Sequence, residues 1–124
     1  MSLRLELEDR EYSAQVLEVR SGDDLVAMVD LGLDGLYKKT RLRLRNVDTP
    51  DAYRKDASTD AGRIRDHVRD LVSGKEVKIT VHSLRNSGWI VTVLLRDKKG
   101  RGDTVDLNQY LIRQGYAYDT EAIA

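Results

Sequence analysis

The sequence predicts a mainly β domain: an OB-fold barrel of five strands, with a helix between strands three and four and a short C-terminal helix. Apolar and polar side chains alternate in five separate stretches, which is the period of half-buried strands. Between the third and fourth stretches, the period changes to the three- and four-residue steps of an amphipathic helix. This order of elements is that of an OB-fold barrel, which binds oligonucleotides across one face.

The composition indicates one globular domain spanning residues 1–124. Forty per cent of the residues are apolar, 34% are charged, and no apolar run approaches the ~20 residues needed to cross a bilayer. The chain has no cysteine, which excludes disulfides, thiolate metal sites and a cysteine nucleophile. No signal peptide is visible at the start, so the sequence predicts a cytoplasmic protein that does not bind membranes.

The charges balance, with 21 Lys and Arg against 21 Asp and Glu. Proteins that bind nucleic acid usually carry an excess of basic residues, because neutralised phosphates supply most of the non-specific affinity. Binding to DNA or RNA must therefore depend on a local basic patch. We expect it to be weak and strongly dependent on salt.

The first half of the chain predicts three strands joined by glycine turns. Residues 11–19 form the first strand, with a slip in the alternation at Leu17. Residues 25–31 form the second strand, and Gly22 allows the turn before it. A hairpin loop bracketed by glycines then leads into the third strand, residues 36–46.

The third strand alternates arginine with leucine. Arg41, Arg43 and Arg45 share one face, and the two leucines between them enter the core. Pro50 should end the strand. This places Asp48 and Asp51 beside a row of guanidiniums, where a divalent cation and a phosphate could be held together. The alternative is an ordinary turn beside a solvated sheet face.

The second half predicts a helix, two strands and a further helix. Ser58 or Thr59 can cap the first helix, residues 60–73, and Gly74 ends it. Residues 77–81 and 89–95 form strands four and five. A charged loop then leads to a helix over about residues 105–114. His67 and His82 are interpreted as structural residues rather than metal ligands.

Three motifs in order resemble the staphylococcal nuclease (thermonuclease-like) family over about residues 12–118. The first motif is Ser21-Gly22-Asp23-Asp24, where the family has Asp-Gly-Asp-Thr. A hairpin returning through Arg43 leads to the second, Asp48-Thr49-Pro50-Asp51, where the family has Asp-Thr-Pro-Glu. The run from Leu107 to Ala117 matches the closing helix of the family and its glycine stop.

The resemblance implies a calcium-dependent site. The carboxylates of Asp23 and Asp48 and the carbonyl of Thr49 would hold Ca²⁺, an ion that prefers oxygen ligands. Arg43 would grip the phosphate, and Asp51 would orient or deprotonate the attacking water. The alternative is that Asp23 and its neighbour Asp24 only make hydrogen bonds within the turn.

The chain departs from the family pattern at the second phosphate arginine, which the family places at the start of strand five. That region reads Asn86-Ser87-Gly88-Trp89, and Arg85 is the nearest candidate. Trp89 could stack on a base or pack in the core. Tyr116, a possible base or phosphate contact, and Tyr118 could line the same face.

Two functions follow from these residues. The first is a Ca²⁺-dependent nuclease acting on DNA or RNA, a phosphodiesterase expected to be weak because of the missing arginine. The alternative is a non-catalytic module of the same fold that binds nucleic acid or a protein partner. The retained Asp23, Arg43 and Asp48 favour the nuclease, whereas Asp51 and the missing arginine favour the module.

Overall fold

A computed structural model describes residues 8–50, 59–96 and 104–120. Neither helix in this part of the chain is long and apolar enough to cross a membrane. In chain order the elements are β1 (Glu11–Ser21), β2 (Asp24–Asp30), β3 (Tyr37–Leu44), β4 (Val47–Asp48), α1 (Asp60–Val72), β5 (Glu76–Arg85), β6 (Gly88–Arg96), β7 (Thr104–Asp106), α2 (Leu107–Arg113) and β8 (Tyr118–Asp119).

Five of the strands close into a barrel. They pair in the order β3-β2-β1-β5-β6, and β3 also pairs with β6, which completes the ring. The β3–β6 contact is parallel, whereas the other pairings around the barrel are antiparallel. With α1 between β3 and β5, this is the predicted OB-like order, and the fold prediction is confirmed.

The slip in the sequence pattern at Leu17 corresponds to a bulge in β1. The register of β1 against β2 shifts between Val16 and Glu18, and Leu17 is 45% exposed. An extra residue in one strand turns the following side chains over, so that Val19 again faces the core.

The core fills the barrel and the gap beneath α1. Leu42 and Leu44 point inward from β3, as their alternation predicts. Val68 and Val72 are fully buried on the inner side of α1, whose first turn is capped by Thr59. The Thr59 side chain accepts a hydrogen bond from the Gly62 amide at 3.0 Å, so Thr59 is the cap rather than Ser58.

The structure corrects several boundaries. The first predicted strand continues to Ser21, and the fourth continues beyond residue 81 to Arg85, as β5. The third strand ends at Leu44 rather than residue 46, because Asn46 adopts a positive φ of 60° and turns the chain into β4. Val105 lies in β7, which pairs with β6, and not in the final helix, which begins only at Leu107. The predicted loops at residues 52–57 and 97–103 lie outside the described residues.

Candidate functional site

The acidic turn, residues 21–24, connects β1 to β2 and packs tightly against its surroundings. Gly22 does not have a positive φ; its role is to leave space. A Cβ there would lie 2.8 Å from Cγ2 of Ile64 and 2.9 Å from Cγ2 of Thr49. A glycine is therefore needed because α1 and the chain after β4 both approach this turn.

Asp23 is buried and joined to Thr49. The Thr49 hydroxyl donates to Oδ1 of Asp23 at 2.9 Å, and the Thr49 amide donates a longer bond to Oδ2 at 3.4 Å. Burial raises the pKa of the Asp23 carboxyl, while the hydrogen bonds from Thr49 and the charge of Arg43 act in the opposite direction. These contacts fix the acidic turn to the chain that follows β4.

Asp24 is paired across the sheet with Arg41. Nε and Nη2 of Arg41 donate to the two carboxylate oxygens at 3.2 and 2.6 Å. The hydrogen bond to Asp24 raises the pKa of Arg41. Such a two-point contact holds both side chains in one geometry.

The structure brings the predicted metal residues to one cleft. Asp23, Asp48, Thr49 and Arg43 all line this space of about 320 Å³, which we call the carboxylate cleft. Asp48 and Arg43 are exposed, whereas Asp23 and Thr49 are buried. Asp51, the predicted general base, lies outside the described residues.

The predicted calcium ligands among the described residues are two carboxylates, those of Asp23 and Asp48, and the carbonyl of Thr49. Ca²⁺ takes six to eight oxygen ligands. Both oxygens of Asp23 already accept hydrogen bonds, and Asp24 is held by Arg41. Among the described residues, no three His, Cys, Asp or Glu side chains converge. The Ca²⁺ site remains a prediction that depends on Asp23, Asp48 and the Thr49 carbonyl.

A larger cleft of about 560 Å³ is also lined by Asp23 and Arg43, and we call it the arginine cleft. Arg43, Arg45, Arg85 and His82 all line it. Arg45 Nη1 lies 3.3 Å from Nδ1 of His82, and burial followed by the charge of Arg45 lowers the pKa of that histidine. Arg85 therefore shares a cleft with Arg43, although the sequence places it across the β5–β6 turn.

Asn108 on α2 fixes the wall of the arginine cleft, and the sequence patterns did not single it out. Its Oδ1 accepts from the Val93 amide, and its Nδ2 donates to the carbonyls of Val91 and Arg45, each at 3.1 Å. The side chain is 3% exposed. It thereby connects α2 and β6 to the turn that follows β3.

Trp89 and Tyr116 do not lie together on one binding face. Trp89 is 8% exposed and belongs to the core cluster, which matches the packing alternative. Tyr116 is half-buried and its ring centroid lies 5.1 Å from that of His67 on α1. His67 is also hydrogen-bonded, through Nε2, to the hydroxyl of Tyr110 at 2.9 Å.

These rings border a cavity of about 630 Å³, which we call the aromatic pocket. His67, Tyr116 and Tyr118 line it together with Asp60, which pairs with Arg63. Tyr118 is 69% exposed, so its ring is accessible from solvent. The histidine comes from α1 and the tyrosines from the segment after α2, so two separate parts of the chain form this pocket, and Tyr116 lies in the third family-like motif.

No protein-family model and no curated protein sequence matches this chain. Solved structures do share its fold. The extended Tudor domain TD3 of mouse TDRD1 in complex with a MILI peptide containing dimethylarginine 45 aligns with a TM-score of 0.65 and 9% identity, over 90% of this chain and 94% of that one.

The same mouse domain without peptide aligns equally well, with a TM-score of 0.65 and 9% identity over 91% of this chain and 95% of that one. At this identity the likeness shows the fold alone. It confirms a related barrel, while membership of the staphylococcal nuclease family remains a prediction.

Proposed function

We propose that this chain is a non-catalytic barrel module that binds a peptide of a partner protein, and that the aromatic pocket holds a methylated arginine of that peptide. The pocket carries the proposal: the rings of Tyr116 and Tyr118 border it beside the Asp60 carboxylate, and His67 packs against Tyr116. Ring faces attract weakly hydrated cations, and a carboxylate adds direct charge attraction. A domain of the same fold was solved with a dimethylarginine peptide, which agrees with this proposal.

The acidic turn also favours a module over an enzyme. Asp23 and Asp24 both have internal partners, Thr49 and Arg41 respectively. Carboxylates used in this way stabilise the turn, although their partners lie on other parts of the chain and not within the turn as the alternative supposed. Among the described residues, the charged groups that remain exposed in the carboxylate cleft include Arg43 and Asp48, which are suited to binding contacts.

Titration with a short peptide carrying one dimethylarginine, and with the unmodified arginine peptide, tests the proposal. We expect tighter binding of the methylated peptide. Tyr116→Ala should weaken it by about 1 kcal/mol, which is roughly fivefold, because one cation–π contact is lost. Leu17→Ala is the control, since Leu17 is an exposed apolar residue on β1, outside the pocket. Equal binding of both peptides, or an unchanged Tyr116→Ala, contradicts the proposal.

Arg63 provides a test of charge sign. It lines the aromatic pocket and pairs with Asp60, so a cationic ligand must compete with it for that carboxylate. Arg63→Gln should therefore tighten binding of the dimethylarginine peptide. Weaker binding in this variant shows that the pocket prefers an anion.

The arginine cleft favours a second candidate, the binding of a phosphodiester. Arg43 and Arg85 border the same space, and guanidiniums are suited to phosphate oxygens. We expect weak, salt-dependent binding of single-stranded DNA or RNA that Arg85→Gln reduces. Incubation of both polymers with Ca²⁺ and with a chelator separates binding from hydrolysis. Cleavage that stops with the chelator supports the predicted nuclease and contradicts the module.

A further inference from the structure

One edge of β3 is covered over only part of its length. On one side, β3 pairs with β2 from Tyr37 to Arg43. On the other side it pairs with β6 only at Leu42, Arg43 and Leu44. Within residues 8–50, 59–96 and 104–120, no strand pairs with this second side of residues 37–41.

The hydrogen-bond pattern identifies the backbone groups that point to this edge. The Leu31 amide donates to the Leu36 carbonyl at 3.1 Å, so these two residues form a hydrogen-bonded pair. Along an antiparallel ladder, hydrogen-bonded pairs alternate with pairs that are not hydrogen-bonded to each other. Lys38 and Thr40 therefore bond to β2, whereas the amides and carbonyls of Tyr37 and Lys39 point away from it. Gly88 marks the end of the open edge, because a Cβ there would lie 3.2 Å from the Arg41 carbonyl oxygen.

The side chains around the open edge are basic and exposed. Lys38 and Lys39 are exposed on opposite faces of the strand, and Tyr37 beside them is 56% exposed. Lysines on an edge discourage pairing with a second copy of the same edge, because like charges meet. The same charges attract an acidic strand.

We propose that this edge binds an extended acidic peptide of a partner protein, which adds as a further strand beside residues 37–41. The peptide backbone bonds to the amides and carbonyls of Tyr37 and Lys39, and its carboxylates contact Lys38 and Lys39. A peptide offers both donors and acceptors in alternation, whereas a phosphodiester backbone offers only acceptors. The edge therefore suits a peptide better than a nucleic acid. This surface is separate from the aromatic pocket, so the inference does not rest on the proposed function.

Fluorescence anisotropy with a labelled ten-residue peptide of alternating Glu and Val tests the proposal. Methylation of every backbone nitrogen leaves the charge and the carbonyl acceptors unchanged, but it removes the amide donors from both edges and puts methyl groups in their place. Methylation of alternate nitrogens leaves one edge intact. We expect the alternately methylated peptide to bind like the parent, and the fully methylated peptide to bind at least about tenfold more weakly. Equal binding of the two methylated peptides reveals charge attraction alone and overturns strand addition.

Protein variants locate the site. Lys39→Glu should weaken binding of the parent peptide by about tenfold, whereas Lys75→Glu, an equal charge change on an exposed residue next to Gly74, should leave it unchanged. Tyr116→Ala should also have no effect, which separates this proposal from the aromatic pocket. The assignment is overturned if Lys39→Glu and Lys75→Glu lose peptide affinity equally. It is also overturned if a thymidine oligonucleotide of equal charge displaces the peptide at a lower concentration than the peptide itself requires.

Discussion

The carboxylate cleft and the aromatic pocket differ in how their residues are used. In the carboxylate cleft, Asp23 and Asp24 are each held by a neighbour within the protein. In the aromatic pocket, Tyr118 is largely exposed and Tyr116 is half-buried, so ring surface remains available to a ligand. Residues of the family-like motifs therefore differ in use: Asp23 is held inside the fold, whereas Tyr116 of the third motif keeps part of its ring exposed.

Changes at two buried positions should have the largest effects: Asn108 beside the arginine cleft, and Gly22 between the carboxylate cleft and the aromatic pocket. Asn108→Ala is expected to destabilise the protein most, by about 3 kcal/mol, because it leaves the Val93 amide and two carbonyls without their buried partner. Urea unfolding measures this loss. Asn86→Ala, in the exposed β5–β6 turn, is the control and should stay within about 0.5 kcal/mol of wild type. A small loss in Asn108→Ala would show that water replaces the side chain.

Gly22→Ala should affect both regions at once. The added Cβ meets Thr49 on the side of the carboxylate cleft and Ile64 on the side of the aromatic pocket. We expect a loss of about 2 kcal/mol from overpacking, together with weaker binding of the dimethylarginine peptide. Gly35→Ala is the control: it has a positive φ of 76° and no atom nearby, so it should cost about 1 kcal/mol and leave binding unchanged. Unaltered binding in Gly22→Ala shows that the two regions are independent.

His82, which lines the arginine cleft, should make the stability of the protein depend on pH. Its pKa in the folded protein is lowered from the ordinary value of 6.5, chiefly by burial. The unfolded chain therefore binds more protons below about pH 6.5, and stability falls as the pH falls through that value. His82→Gln should remove the loss of stability at low pH that is due to this histidine. Arg45→Gln should reduce that loss, because the charge of Arg45 helps to lower the pKa of His82. Urea midpoints between pH 5 and 8 test the prediction, and a steeper loss in His82→Gln contradicts it.

The pair of Asp24 and Arg41 should give the smallest effect. Its side chains are 15% and 36% exposed, and pairs near the surface contribute about 0.5–1 kcal/mol. A double-mutant cycle with Asp24→Asn and Arg41→Gln should give a coupling of this size. Zero coupling means that Arg41 does not hold Asp24, so that Asp24 is available to a ligand. The carboxylate cleft would then offer one more carboxylate to a metal ion.

The sequence predicted the elements better than it predicted their ends. The alternation of Leu42 and Leu44 with arginines set the inward face of β3, and the slip at Leu17 marked a real bulge. The short strands β4, β7 and β8 were not predicted, because two or three residues are too few to show a period. Their pairing depends on backbone hydrogen bonds to segments distant in the chain.

By itself, the sequence determined the order of strands and helices, and with it the barrel, since each element carries its own period of buried side chains. Tertiary structure alone decided which side chains meet. It placed Arg85 beside Arg43 and Tyr116 beside His67, and it joined Asp23 to Thr49. The physical reason is that a local pattern fixes only the face on which a side chain lies. Closure of the barrel and packing of the helices fix which face it meets.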